Sequence, residues 1–302
     1  MTSKQNKPLY KRWRFYIYAS MMAFCLFFLL LIFSVLSLRW VNPFFTSFTI
    51  QENWEQFDQS RYNLRDWWVP ADEIPDHTKW AVVASEDQLF WEHRGFDMES
   101  IREAWEQRQT GERSRGASTI SQQVAKNIYL WPAHSFFRKG IEAGITVLIE
   151  LFWPKERILE MYLNIAEFGP GIFGIGKASD VFFGIHASSL EPDMSARMAA
   201  VLPSPKRMRV EPPSPFAKER SQWVLRQMTQ LSGHRYVLDA PMQQVEPDND
   251  IDPLQLEAEK ELERMLFDEL PDTNDTLQEA DELKEFDLPD SLLEFPDPDE
   301  RP

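Results

Sequence analysis

Apolar residues are distributed along this chain in two distinct ways. From Phe15 to Leu38 they run for 24 residues without a charge, whereas beyond residue 75 they return every three or four positions among polar ones. The first pattern predicts a helix of about 36 Å, enough to cross a hydrocarbon core of about 30 Å with some tilt. A cleaved signal peptide has a shorter apolar core, about 7–15 residues, followed by a small-x-small site; this run ends SVLSLRW. Lys4, Lys7, Lys11, Arg12 and Arg14 precede it with no acid. The positive-inside rule therefore leaves residues 1–14 cytoplasmic, residues 15–38 spanning the membrane and everything after Arg39 on the far side, with Trp40 as an interfacial anchor.

Residues 39–75 mix aromatic and polar side chains with prolines at 43, 70 and 75 and hold no period, which predicts an irregular connection. A helix follows in which Val82, Val83, Leu89 and Phe90 mark a buried face, with Glu86 on or beside it and Gly95 placed to stop it. A second helix is expected over Met98 to Gln109, then a polar basic loop containing Arg113 and Arg115. In STISQQVAKNIYL, Thr119 and Gln122 fit a capping box, and Thr119, Gln123 and Lys126 project from one face. Alone, such a polar face is the kind that usually faces water. The aromatic stretch 128–137 reads either as core or as a patch dipping into a bilayer interface.

Arg138 and Glu142 stand four apart at the head of a run, Ala143 to Trp153, too short to span a bilayer and read as a buried core helix. Lys155 to Ala166 is amphipathic through Ile158, Leu159, Tyr162 and Ile165. Glycines 169, 171, 174 and 176 then form a turn, and two further helical runs end at Pro203 and Gly233. The folded domain, residues 76–236, is thus expected to be almost wholly helical.

Charge refines this picture because it is segregated. Of the net −16, residues 239–302 contribute −19, from 23 acids against Lys260, Arg264, Lys284 and Arg301, so the rest of the chain carries +3. The acidic segment 237–302 is expected to form a disordered tail. The single cysteine, Cys25, excludes an intramolecular disulfide and a cysteine-based metal site. No S-x-x-K triplet occurs, so the serine-lysine arrangement of penicillin-binding acyl transfer is missing.

The candidate chemistry is a pair of carboxylates, Glu86 and Glu142, with cations at Lys126 and Arg138. Burial raises a Glu pKa towards neutrality, as a base or acid working near pH 7 requires, though a rim carboxylate on a solvated helix fits Glu86 equally well in isolation. Paired carboxylates suit chemistry at a glycosidic carbon. A sugar alkoxide leaves only with an acid's help, whereas a pyrophosphate leaves readily and is stabilised by Lys and Arg. Cations beside carboxylates therefore favour glycosyl transfer from a phosphate-linked donor, and a bilayer anchor suggests a lipid-borne one.

Four ordered stretches, Glu86-Asp87-x-x-Phe90-x-x-His93-x-Gly95, GASTISQQVAKN (116–127), Arg138-Lys139-x-x-Glu142 and KERILEMYLNIAEFGPGIFGI (155–175), resemble the motifs of the peptidoglycan glycosyltransferases. The likeness covers roughly residues 40–235 and is to monofunctional biosynthetic members, without a transpeptidase domain. It implies a mainly α fold, with a lysozyme-like head and a small membrane-dipping jaw after one transmembrane helix, located in a bacterial inner membrane with the catalytic domain periplasmic. It implies polymerisation of lipid II into β-1,4 glycan strands, with inversion and release of undecaprenyl pyrophosphate. By the same resemblance Glu86 is the general base, Glu142 the second essential glutamate, and Lys126 and Arg138 the pyrophosphate-side cations. Thr119 and Gln123 lie on the substrate-facing helix, and Asp87, Phe90 and His93 complete the first motif, His93 through a structural hydrogen bond. Mg²⁺ or Mn²⁺ is expected to act through the substrate pyrophosphate, and wall-synthesis or division proteins are expected partners, while nucleic acid is not.

One position departs from the family. Where an arginine usually follows on the pyrophosphate side, His134 stands here, mostly uncharged at neutral pH. Activity should then rise on mild acidification unless Arg113, Arg115 or a metal compensates, and His134→Arg should alter the pH-rate profile. A lytic muramidase, which would cut polymer and ignore lipid II, and an inactive wall-synthesis scaffold are the alternatives.

Overall fold

The computed structural model describes residues 9–52, 63–109, 118–132, 135–234 and 236. Arg113, Arg115, His134 and the acidic segment 237–302 lie outside the described residues.

Helix α1 runs Leu9–Leu38, six residues earlier than the apolar run, because Lys and Arg are good helix formers and extend it beyond the uncharged stretch. Its span Phe15–Leu38 is long and apolar enough to cross a membrane, and only 6% of the most apolar window is buried against the protein. The connection after it is more ordered than its composition predicts. It forms α2, Ser47–Glu52, and a 3₁₀ turn, Leu64–Trp67, and it buries Leu64, Val69 and Ile74 in the core. Buried Asn164 holds it in place, accepting the Val69 N–H at 2.8 Å and donating to the Val69 carbonyl at 2.9 Å.

The domain is then α3 (Asp76–Glu86), α4 (Met98–Gln109), α5 (Ile120–Tyr129), α6 (Phe136–Phe152) and α7 (Lys155–Ile165), a hairpin, α8 (Ile175–Phe183), α9 (Pro192–Val201) and α10 (Pro215–Ser232). The hairpin is the part of the glycine turn that periodicity missed: β1 (Glu167–Gly169) pairs antiparallel with β2 (Ile172–Phe173), Glu167 opposite Phe173. Helices α3, α9 and α10 pack on one another, and α5 packs on α6 and α7. Phe90, Ile120, Ile149, Tyr162, Phe168 and Met198 are among the large side chains fully buried in the core. Gly176 lets α8 close on the 3₁₀ turn, since a Cβ there would stand 2.2 Å from the Trp67 carbonyl oxygen.

Helix α6 differs from the expectation of a core helix buried all round. Ile145, Thr146 and Ile149 face inward, but Phe137, Val147 and Leu151 are 76%, 52% and 70% exposed, and Gly140 and Gly144 lie on the same outer stripe. The aromatic stretch before it divides likewise, with Leu130 buried and Trp131 and Phe136 exposed. Helix α6 also packs against α1, and this stripe stays uncovered beside it.

Where α1 ends, its four last carbonyls lack helical partners, and all four are satisfied. Val35 O accepts Trp153 Nε1–H at 2.7 Å and Leu38 O accepts Arg157 Nη2–H at 2.9 Å. Leu36 O and Ser37 O accept the backbone N–H groups of Arg39 and Val41. Arg39 Nη1 donates in return to Phe152 O, at the end of α6, at 2.6 Å, and Ser34 and Tyr129 hydroxyls lie 3.1 Å apart.

Candidate active site

Glu86 is the last residue of α3 rather than a mid-helix position. The helix stops there because Asp87 leaves helical geometry, at φ −162° and ψ 78°, and its carboxylate is then used elsewhere. Asp87 Oδ2 accepts the Ile120 N–H at 2.9 Å, a negative charge at the amino end of α5, where the helix dipole favours it. Asp87 Oδ1 lies 2.8 Å from His93 Nε2, while His93 Nδ1 accepts the Gly95 N–H at 3.1 Å. The second bond leaves the ring hydrogen on Nε2, donated to Asp87.

Gly95 then closes the junction. At φ +92° it adopts a backbone that L side chains avoid, and its carbonyl accepts Thr119 Oγ1–H at 2.7 Å. The expected capping box is present: Thr119 accepts from the Gln122 backbone, and the Gln122 side chain accepts the Thr119 N–H. Phe90 is fully buried, with Lys155 Nζ 4.4 Å from its ring centroid. Asp87, Phe90, His93 and Thr119, which the motif resemblance groups with the substrate-binding residues, are buried or engaged within the protein, His93 in the structural hydrogen bond expected of it. They form the frame that sets Glu86 against α5.

Across that frame, Gln123 Nε2 donates to Glu86 Oε2 at 2.9 Å, and Ser85 Oγ donates to Oε1 at 3.3 Å. Desolvation by burial pushes the Glu86 pKa above its usual value, against the Gln123 bond, the Arg220 charge, the Ser85 bond and the Lys126 charge. Burial wins, so Glu86 is a carboxyl group poised to accept a proton. Lys126 is pushed the other way: desolvation lowers its pKa, Glu142 and Glu86 raise it, and Arg138 and Lys139 lower it. It is the cation on which both glutamates act.

Glu142 has different surroundings. Arg138 Nη1 donates to its Oε2 at 2.7 Å and Lys139 Nζ to its Oε1 at 2.6 Å, with the Glu142 side chain only 2% exposed. The i, i+4 spacing on α6 makes the first bond, and Ser135 as N-cap starts the helix in that register. With both oxygens held by cations, Glu142 fixes Arg138 and Lys139 in place and is poorly suited to take a sugar proton or a metal ion. Among the described residues, Asp87 is likewise engaged by the Ile120 N–H and His93, and Glu150 by Ser121 and Lys155. No group of three or more His, Cys, Asp or Glu among the described residues is gathered as ligands.

Several contributors carried no local signal. Arg220 reaches the Glu86 end of α3 from α10, with Nη2 3.3 Å from Ser85 Oγ. Phe48 of α2 lies 5.5 Å from Lys126 Nζ, and Lys139 completes the pair around Glu142. Glu150 accepts from Ser121 Oγ at 2.5 Å and from Lys155 at 2.8 Å, tying α5 to the end of α6. Of these, Ser121, Lys139 and Lys155 lie within the motif stretches, where the sequence assigns no partner to any of them.

A family model described as transglycosylase matches residues 52–229. Among curated proteins, the biosynthetic peptidoglycan transglycosylase of Ectopseudomonas mendocina is 47% identical over 204 residues, 67% of this chain and 84% of its own. That of Xanthomonas oryzae pv. oryzae is 50% identical over 210 residues, 68% and 85% respectively, and that of Pseudomonas entomophila 47% over 207 residues, 68% and 87%. The matched span contains Glu86, Glu142, Ser85, Gln123, Lys126, Arg138, Lys139 and Arg220, with Phe48 just before it. The chain belongs to the peptidoglycan transglycosylase family, with its lysozyme-like, mainly helical domain.

Proposed function

We propose that this site polymerises lipid II, with Glu86 as general base and the Lys126–Arg138–Lys139 group receiving the leaving pyrophosphate. The acceptor GlcNAc 4-oxygen attacks C1 of the donor MurNAc as its proton passes to a Glu86 oxygen. The C1–O bond to phosphate breaks, its electron pair leaves with undecaprenyl pyrophosphate, and the α link becomes β. The observation that carries this assignment is the contrast between the glutamates. Glu86 is desolvated, its carboxyl held by neutral donors, whereas both oxygens of Glu142 are occupied by cations. A divalent cation, where it contributes, arrives with the pyrophosphate.

The basic residues before the apolar span that begins at Phe15 support a cytoplasmic N-terminus and a periplasmic catalytic domain at a bacterial inner membrane. Purified full-length protein supplied with lipid II should yield glycan polymer. Glu86→Gln should lose at least about 100-fold of that rate, the lower range for a positioned base. Cleavage of preformed glycan with lipid II left untouched would instead identify a lytic enzyme, and a Glu86→Gln variant as fast as the parent would remove Glu86 from the role of base.

A further inference from the structure

We propose that Tyr162 is a positioning residue for the base, its hydroxyl holding the Gln123 amide in the orientation that presents NH₂ to Glu86. This rests on Glu86 being the base. Tyr162 lies on α7, in sequence an ordinary core position of an amphipathic helix, and is 2% exposed. Its hydroxyl donates to Gln123 Oε1 at 3.2 Å, and the other end of the same amide donates to Glu86 Oε2 at 2.9 Å. The two bonds form one line from α7 through α5 to the end of α3.

A primary amide can turn by half a circle with little change in shape, so something must choose between its ends. With the amide turned, its oxygen would face the Glu86 carboxylate, acceptor against acceptor. The Tyr162 hydrogen would also lose the acceptor it uses, inside the protein, where an unmade bond is costly. The phenol cannot escape by ionising: burial and the charges of Glu86 and Asp87 push its pKa well above 10.0. Tyr162 therefore acts as a permanent donor, and the amide follows.

The other groups around Glu86 do not replace this bond. Arg220 approaches from α10 and Lys126 lies along α5, itself shared with Glu142, Arg138 and Lys139 of α6. Ser85 Oγ has a single hydrogen, for which the Ala199 carbonyl of α9 at 2.9 Å competes with Glu86 Oε1 at 3.3 Å. Gln123 thus makes the shorter of the two hydrogen bonds described to the base, and after burial it is the largest influence on how readily Glu86 ionises.

The test is the pH dependence of kcat/KM for lipid II polymerisation by the full-length protein, comparing the parent with Tyr162→Phe, Gln123→Leu and the double variant. Freed of the phenol, Gln123 turns part of the time and the base loses a donor, so the acid limb of the Tyr162→Phe profile should move to higher pH. The rate at the acid end should fall about three- to tenfold, while the alkaline plateau stays within about twofold of the parent. Gln123→Leu should move the limb in the same direction, and adding Tyr162→Phe should move it no further. A purely packing role would lower the rate evenly across pH and leave the limb in place, which overturns the proposal, as does an additive double variant. Glu86→Gln, run alongside, separates the two claims: if it is inactive and the Tyr162→Phe limb is unmoved, only the positioning role fails. If Glu86→Gln remains active, the assignment of the base fails and the positioning role with it.

Discussion

The two glutamates predict opposite effects on stability from the same substitution. Glu86 has a folded-state pKa above its unfolded one, so the folded protein binds the extra proton and its stability falls as pH rises between those two values. Above the folded-state value the full penalty is present, and below the unfolded-state value there is none. Glu86→Gln should accordingly melt higher than the parent at pH 8, with the gap closing towards pH 4. Thermal unfolding can resolve this, because about 1 kcal/mol moves the midpoint by about 2–4 °C in a domain of this size. Glu142→Gln strips two cations of a buried partner and should cost about 3–5 kcal/mol, the usual range for breaking a buried pair. The Lys139 share of that cost is small, because Lys139 is 45% exposed. Both variants should be inactive, so the melts rather than the rates distinguish the residue kept for chemistry from the one that holds the site together. The raised pKa of Glu86 also opposes the gain on acidification expected from His134, since acid that charges the histidine protonates the base.

At the scale of elements, much of the site was legible because its signals are local. The Thr119–Gln122 box, the Arg138–Glu142 spacing and the Gly233 stop each depend on residues within one helical turn or at a helix end, and each forms as read. What escaped was set by contacts distant in sequence. Arg220 stands 135 residues from the Ser85 carbonyl it approaches. Tyr162 satisfies a helical period whether or not its hydroxyl finds Gln123. The end of α3 moved from Gly95 back to Glu86 because Asp87 gains more from the Ile120 N–H and His93 than from another turn of helix. The packing of α8 on the 3₁₀ turn is similarly tertiary, and it has little tolerance. Gly176→Ala should cost at least about 1–3 kcal/mol, the usual range for overpacking, since the atom met is backbone oxygen and cannot step aside as a side chain would. A urea melt checks this, and an unchanged midpoint would mean that the 3₁₀ turn can retreat.

For the whole molecule, the significant junction is the one between α1 and the catalytic domain. Trp153 and Arg157 supply the hydrogens that the last turn of α1 cannot supply for itself, Arg157 doing so as a cation at the negative end of the helix dipole. Arg39 does the same for α6, so each helix is capped by its neighbour. Near a bilayer, where water is scarce, leaving such carbonyls unmet is expensive. If the backbone were severed at a protease site introduced beside Pro43, the head should still sediment with membranes, held by Trp153, Arg157 and Tyr129. Trp153→Phe combined with Arg157→Ala should let the cut head escape into the supernatant. A parent head that escapes as readily would show these caps to be too weak to hold it. The membrane helix is then more than a mooring line: cleaving it from the enzyme in sequence would not part the two in space, and a cut chain would remain one working body.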